Sequence, residues 1–422
     1  MKKLFLCLSL ASCCVAWGQR NLNYDESKVP QFALPDVLTC YDGSKVTTID
    51  DWERKRRPEL LETFATQEYG RTRPDSIAVS YEVVSENSHA LGDKATLRQV
   101  RFLFSGNGRR HEAIAMTLVP NHRKGKVPVF VSYSFIGNHS TTTDTTIVYS
   151  AGVRMVQKPG DANWQRGNQK SRWPFEQIID RGYAVITMAY HDIYPDRDGP
   201  RWLDNSVLSL FPDYQQYATR SDAWEAVGAW AWGSSRMVDY LYTQDWADMQ
   251  RIALMGHSRQ GKAALWAGAQ DTRFRVVISN CSGASGAALA KRRYGETVGL
   301  LTSVRPWWFC AAYAFYTDRE EAMPFDQHEL IALIAPRHVY VASAEDDAPA
   351  DPKGEFLATS YAEPVYRLYG LKGLDTDVMP ATNHPIMHDA GYHIRTGIHD
   401  VTDYDWQRYM DFCDLHFKGA LK

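Results

Sequence analysis

The 422-residue sequence carries no surplus of either charge: 47 Lys and Arg stand against 50 Asp and Glu, a formal −3. That balance gives no electrostatic reason to bind nucleic acid or an anionic membrane surface. The apolar stretch Leu4–Val15 falls short of the ~20 residues a spanning helix needs. CxxC pairs, an HExxH pattern and a glycine-rich phosphate loop are all missing, so no metal or organic cofactor is expected. Repeats, low-complexity tracts and linker-like boundaries are missing too. Cysteine is scarce: beyond the amino-terminal stretch only Cys40, Cys281, Cys310 and Cys413 remain. Their wide spacing excludes a disulfide scaffold and leaves either one bridge or buried free thiols.

What is present begins with an export signal. Lys2 and Lys3 precede the apolar stretch, and Ala16-Trp17-Gly18 offers a small-x-small cleavage pattern before Gln19. Leu10-Ala11-Ser12-Cys13 is a lipobox-like alternative that would leave a lipidated Cys13. Either route takes the chain out of the cytoplasm, to the periplasm, the medium or a lipid anchor at the envelope. Residues 1–18 are therefore read as signal peptide and 19–422 as one catalytic domain, irregular to about residue 55. An apolar share of 44% supplies a large core. The 13 Trp, 23 Tyr and 16 Phe suit a sugar-facing surface, but a large core consumes aromatics as well.

Hydrophobic patterning divides the chain. A helix is expected from Arg57 to Tyr69. Residues 78–84, 98–104 and 112–119 alternate polar and apolar, the signature of antiparallel strands. From Val127 the grammar changes to continuous apolar runs: 127–135, 183–190, 251–255, 276–279 and 338–344. Helical segments separate them, at 175–181 and 223–242, and a last helix runs from Tyr404 to Phe417. Buried strands alternating with helices mean a mostly parallel sheet covered on both faces. The fold class is therefore α/β, an α/β-hydrolase arrangement with antiparallel amino-terminal strands. Residues 138–167 and 284–323 read as insertions over the carboxyl edge of the sheet, where such folds build sites.

Arg251–Met255 leads into Gly256-His-Ser258-Arg259-Gln-Gly261-Lys262 and then a helix. A strand, a Gly-x-Ser turn and a helix make the setting of a nucleophile elbow, which strains the serine and aims backbone N–H groups at a forming oxyanion. The second glycine comes three residues after Ser258, with Gln260 in the usual glycine position. A plain helix cap is the bland alternative for Ser258. In this fold the order is serine, acid, histidine. His399 follows a strand-like segment and precedes the last helix, ahead of His384, His388 and His393 as candidate base. Glu345, Asp346, Asp347 and Asp351 follow the 338–344 strand, and Asp347 is chosen as acid, with Asp346 as the alternative.

With those segments assembled, the chain resembles the glucuronoyl esterases, carbohydrate esterase family fifteen, in their bacterial form. Gly256–Lys262 reproduces the family's Gly-x-Ser-Arg-x-Gly-Lys, unusual spacing included. Further matches are Gly137-Asn138-His139, Arg172-Trp173-Pro174, Trp230-Ala231-Trp232-Gly233, Gly295-Glu296-Thr297-Val298, Asp326-Gln327-His328 and Ala350-Asp351-Pro352. The resemblance implies hydrolysis of the ester between glucuronic acid on xylan and lignin alcohols. Ser258 would be the nucleophile, Arg259 an oxyanion ligand, and Lys262 and Glu296 partners of sugar hydroxyls. The bland readings are a helix-start Arg paired with a surface carboxylate, a solvated Lys and a structural ion-pair Glu. Two positions depart from the family. Cys281 stands where fungal members carry a catalytic Glu, and Pro349 stands where many members carry a sugar-stacking Trp. An acetyl or other polysaccharide esterase is the competing enzyme, and a non-catalytic glycan-binding protein the competing class.

Overall fold

A computed structural model describes residues 22–73, 77–158 and 160–417. The signal-peptide reading, Cys13 included, lies outside the described residues. Ten strands form one sheet: β1 (Ala78–His89), β2 (Ala95–Gly106), β3 (Arg109–Pro120), β4 (Val127–Ser134), β5 (Ala184–Ala189), β6 (Ala247–His257), β7 (Val276–Asn280), β8 (His338–Ala344), β9 (Ile386–Met387) and β10 (Ala390–Arg395). Their spatial order is β1-β2-β3-β5-β4-β6-β7-β8-β10-β9. The pairs from β5 through β4, β6, β7 and β8 to β10 are parallel, while β1, β2 and β3 enter antiparallel.

Strand alternation sends side chains to two cores. Val129 and Val131 of β4, with Ile252 and Leu254 of β6, face the helices Ala226–Leu241 and Arg259–Gln270. Phe130, Ala253 and Met255 face the helices Phe175–Asp180 and Asp403–Phe417. With both faces covered, the central strands tolerate no polar face, which is why they read as unbroken apolar runs.

Differences from the sequence reading have local causes. Helical winding begins at Ile49, ahead of the expected Arg57, because Thr48 Oγ1 caps the Asp51 amide at 3.1 Å and a π-turn at Trp52–Arg56 carries the winding onward. The central helix starts at Ala226, not Ala223, where Ala226 N and Val227 N donate to Trp307 O and Trp308 O. Strand β6 starts at Ala247, several residues early, since Ala247 pairs with Val127 before a register shift. The insertions are not bare loops: 138–167 holds a helix at Ala151–Val156, and 284–323 one at Val298–Val304. Cys40, Cys281, Cys310 and Cys413 are buried free thiols.

Candidate active site

Ser258 sits in the turn between β6 and the helix Arg259–Gln270 with φ 57° and ψ −129°. A non-glycine residue held there costs about 1–3 kcal/mol and persists only where the surroundings fix it. Here its N–H donates to Asn280 O at 2.8 Å, and its carbonyl accepts the Gly261 amide at 2.8 Å. Two glycines make the turn sterically feasible. A Cβ on Gly256 would lie 2.0 Å from Gln260 O, and one on Gly261 would lie 2.8 Å from Ser282 Cβ. The contact that forbids a side chain thus falls at residue 261, and Gln260 is accommodated as an ordinary helical residue. That is the physical reason for the shifted glycine.

His399 comes from the loop between β10 and the helix Asp403–Phe417. Arg395 holds that loop, donating to the carbonyls of Thr396, Ile398 and Asp400 at 3.1, 3.0 and 2.6 Å. Arg172 Nε adds a bond to Asp400 Oδ1 at 2.5 Å. The His399 Nδ1 atom meets Asp347 Oδ2 at 2.6 Å. Asp347 is buried just past the end of β8, while Glu345 and Asp346 point to solvent and Asp351 is bonded to Arg292. Of the carboxylates considered, Asp347 is the one brought to the ring. The rival histidines are otherwise engaged: His393 with Asp405 and Tyr340, His384 and His388 with main-chain carbonyls. His257 packs beside His399 with ring centroids 4.6 Å apart. Burial, then the neighbouring His399 charge, drives the His257 pKa far below its ordinary value, so a neutral ring lies under the candidate base.

Arg259 does not pair with a surface carboxylate. Its partner is Asp196, which is buried after β5. Asp196 also accepts the indole N–H groups of Trp307 and Trp308 at 2.7 and 2.8 Å. Burial opposes its ionisation, but the Arg259 charge and those donors prevail and hold its pKa at about 2. The guanidinium carbon lies 4.9 Å from the Trp308 ring centroid, so charge and ring fix the head group from two sides. Lys262 is buried, and Nζ donates to Ser282 O and Ala284 O, both at 2.5 Å, with Glu296 Oε2 at 3.7 Å. Two of its three N–H groups are therefore spent on backbone. Ser258, Arg259, Lys262, Cys281, Glu296, Asp347 and His399 border a single cleft of about 330 Å³, walled by Leu301, Val304 and Trp308.

Such an arrangement can polarise a hydroxyl through an imidazole, orient that imidazole with an anion and stabilise an oxyanion with a fixed cation. Three groups that shape it went unread in the sequence: Asp196, Arg395 and Glu355. Glu355 accepts the Ser282 and Gly283 amides at 2.8 and 2.9 Å and so shapes the turn after β7. Asp196 is marked in the sequence only by its place in the loop just beyond a buried strand, which does not reveal its pairing with Arg259. Arg395 and Glu355 carry no such mark.

Known proteins resemble this chain over most of its length. Residues 170–370 match the family model described as glucuronyl esterase, fungi. A carbohydrate esterase of an unknown prokaryotic organism is 42% identical over 412 residues, covering 96% of this chain and 94% of its own. The structure of a glucuronoyl esterase from Solibacter usitatus superposes with a TM-score of 0.87 at 42% identity, over 93% of this chain and 100% of that one. A promiscuous family-fifteen carbohydrate esterase from a marine bacterial metagenome gives 0.84 at 39% identity, over 94% and 100%.

Proposed function

The chain belongs to the glucuronoyl esterases of carbohydrate esterase family fifteen, and from that membership we propose that Ser258, His399 and Asp347 cleave a glucuronoyl ester through an acyl-enzyme. The observation that carries the assignment is the 2.6 Å contact between His399 and Asp347 in the cleft that also holds the strained Ser258. Ser258 Oγ attacks the uronate carbonyl as His399 Nε2 takes its proton. Asp347 keeps the ring in the tautomer with hydrogen on Nδ1 and stabilises the imidazolium. Arg259, aided by amides at the helix start, takes the negative charge of the tetrahedral intermediate. His399 then protonates the departing alcohol, and a water molecule repeats the sequence in reverse to free the uronate.

Lys262 and Glu296 are assigned to sugar hydroxyls, Lys262 with the single N–H its backbone contacts leave over. The alcohol lies toward Leu301, Val304 and Trp308, an apolar wall suited to an aromatic leaving group. The polysaccharide is taken to be glucuronoxylan esterified to lignin alcohols, met outside the cytoplasm after cleavage of the 1–18 signal, with residues 19–422 as the catalytic unit. Among the described residues no helix is long and apolar enough to cross a membrane. The test is turnover of benzyl glucuronate against an acetylated xylo-oligosaccharide by wild type and Ser258→Ala. Activity on the glucuronate ester, lost in Ser258→Ala, supports the proposal. Turnover of the acetyl ester alone gives the competing esterase, and retained glycan binding without any turnover gives the binding protein.

A further inference from the structure

Cys281 takes no part in the acid–base pair, yet it lies against it. Its thiol, the Asp347 carboxylate and a His399 ring nitrogen each offer one donor atom, and the three atoms lie within 4.8 Å of one another. Resting on the Ser258, His399 and Asp347 reading above, we propose that Cys281, Asp347 and His399 form a trap for a borderline-soft divalent cation, zinc foremost, and that the captured ion silences the esterase.

Sulfur, imidazole nitrogen and carboxylate oxygen are the donor types zinc selects. At metal–ligand distances of about 2.0–2.3 Å, tetrahedral geometry sets donors roughly 3.3–3.7 Å apart. The three donor atoms already lie within 4.8 Å of one another, so closing on an ion takes shifts on the order of 1 Å, and Asp347 and His399, now 2.6 Å apart, must separate. His399 sits on a loop and its side chain is 42% exposed, whereas Asp347 and Cys281 are buried. An ion therefore enters past His399 from the cleft and is enclosed from below. The fourth position stays open to water or to Ser258 Oγ.

Capture forms one bond each from Sγ, Nδ1 and a carboxylate oxygen to the ion. It breaks the Asp347–His399 hydrogen bond and releases the thiol proton to solvent. The ring proton moves from Nδ1 to Nε2. A His399 with hydrogen on Nε2 cannot accept the Ser258 proton, so inhibition follows from the tautomer and not merely from obstruction.

A second donor cluster, His338, Asp389 and His416, lies where β8 begins. Metal stoichiometry alone does not identify the trap, but dependence on cysteine does. The chelator-washed enzyme is titrated with zinc chloride during benzyl glucuronate hydrolysis, alongside Cys281→Ser and Cys281→Ala. In a second arm cobalt(II) replaces zinc and the thiolate-to-metal charge-transfer absorption is read. Wild type is expected to be inhibited reversibly, with activity restored by EDTA, and to show the charge-transfer band. Both variants should turn over substrate, lack the band and need more than about 100-fold higher zinc, since even outer-shell partners are worth about 10–100-fold in affinity. Equal zinc sensitivity in both variants, or no band in folded wild type at saturating cobalt, overturns the proposal. A cysteine-dependent band in a protein that cleaves no glucuronate ester leaves the metal site standing and defeats the catalytic reading instead.

Discussion

Replacing Asp347 by Asn keeps the side chain's shape and removes its charge, which isolates what the carboxylate does. The residue is 4% exposed and its oxygen receives the His399 Nδ1–H at 2.6 Å. An asparagine amide in that place can donate its own N–H to Nδ1. The imidazole then carries its hydrogen on Nε2, facing Ser258 as a donor, and no longer accepts a proton. In serine hydrolases with this relay the wrong tautomer costs about 10⁴ in kcat, which is about 5.4 kcal/mol of barrier at 1.36 kcal/mol per tenfold. KM should move little, because the loss falls on the transition state. The assay is steady-state hydrolysis of benzyl glucuronate, with urea denaturation to establish that the fold survives. Asp346→Asn is the matched control: its side chain is exposed, and its contact to the His399 loop is through the main chain, N–H to Gly397 O at 3.0 Å. A kcat for Asp347→Asn within tenfold of wild type, or a larger loss in Asp346→Asn, refutes the reasoning.

Arg259→Met removes the oxyanion cation and strands buried Asp196, so kcat should fall about 10²–10³ and stability about 3–5 kcal/mol. Adding Asp196→Asn should restore much of the urea midpoint without restoring kcat, a split that a double-mutant cycle measures. Gly261→Ala sets a Cβ 2.8 Å from Ser282 Cβ and should cost about 1–3 kcal/mol in urea denaturation. Gly256→Ala should cost more, because the Gln260 carbonyl it meets at 2.0 Å is backbone and cannot swing aside. Burial is the leading cause that drives His191, His328 and His338 down to about 3, 4 and 3. Because these folded-state values lie below the unfolded one, the unfolded chain takes up protons that the folded chain refuses as pH drops below 6.5. Stability should therefore fall between pH 6.5 and about 4, by up to about 1.4 kcal/mol per pH unit for each histidine. His338→Asn should lessen that slope by one proton in urea titrations at several pH values.

The sequence reveals this molecule best where a single stretch determines its own structure. His338–Ala344 is legible to the residue because both faces of that strand are buried, and the run from Val339 to Ala342 is apolar apart from the Tyr340 hydroxyl. The Ser258 turn is legible for a similar reason: crowding by the Gln260 carbonyl at residue 256 and by the Ser282 side chain at residue 261 favours glycine, and glycines mark the spot. His399 and Asp347 are readable as positions, each just past a strand end, though not as a contact. Asp196 is of another kind. Its importance arises from Arg259, 63 residues along the chain, and from two indoles farther on, and no local pattern encodes that meeting. Arg395 lies within an ordinary strand, and its work on three loop carbonyls appears only once the loop folds back. Lys262 is legible as a position one turn past Ser258 but not as tied down, since its two carbonyl partners belong to the turn after β7.

The most direct test is to identify the atom that carries the acyl group. Benzyl glucuronate is mixed with enzyme and quenched in acid before steady state, and the digested protein is read by mass spectrometry. The expected result is a glucuronoyl adduct on the peptide containing Ser258, absent from Ser258→Ala. An adduct on any other residue, or full turnover by Ser258→Ala, contradicts it.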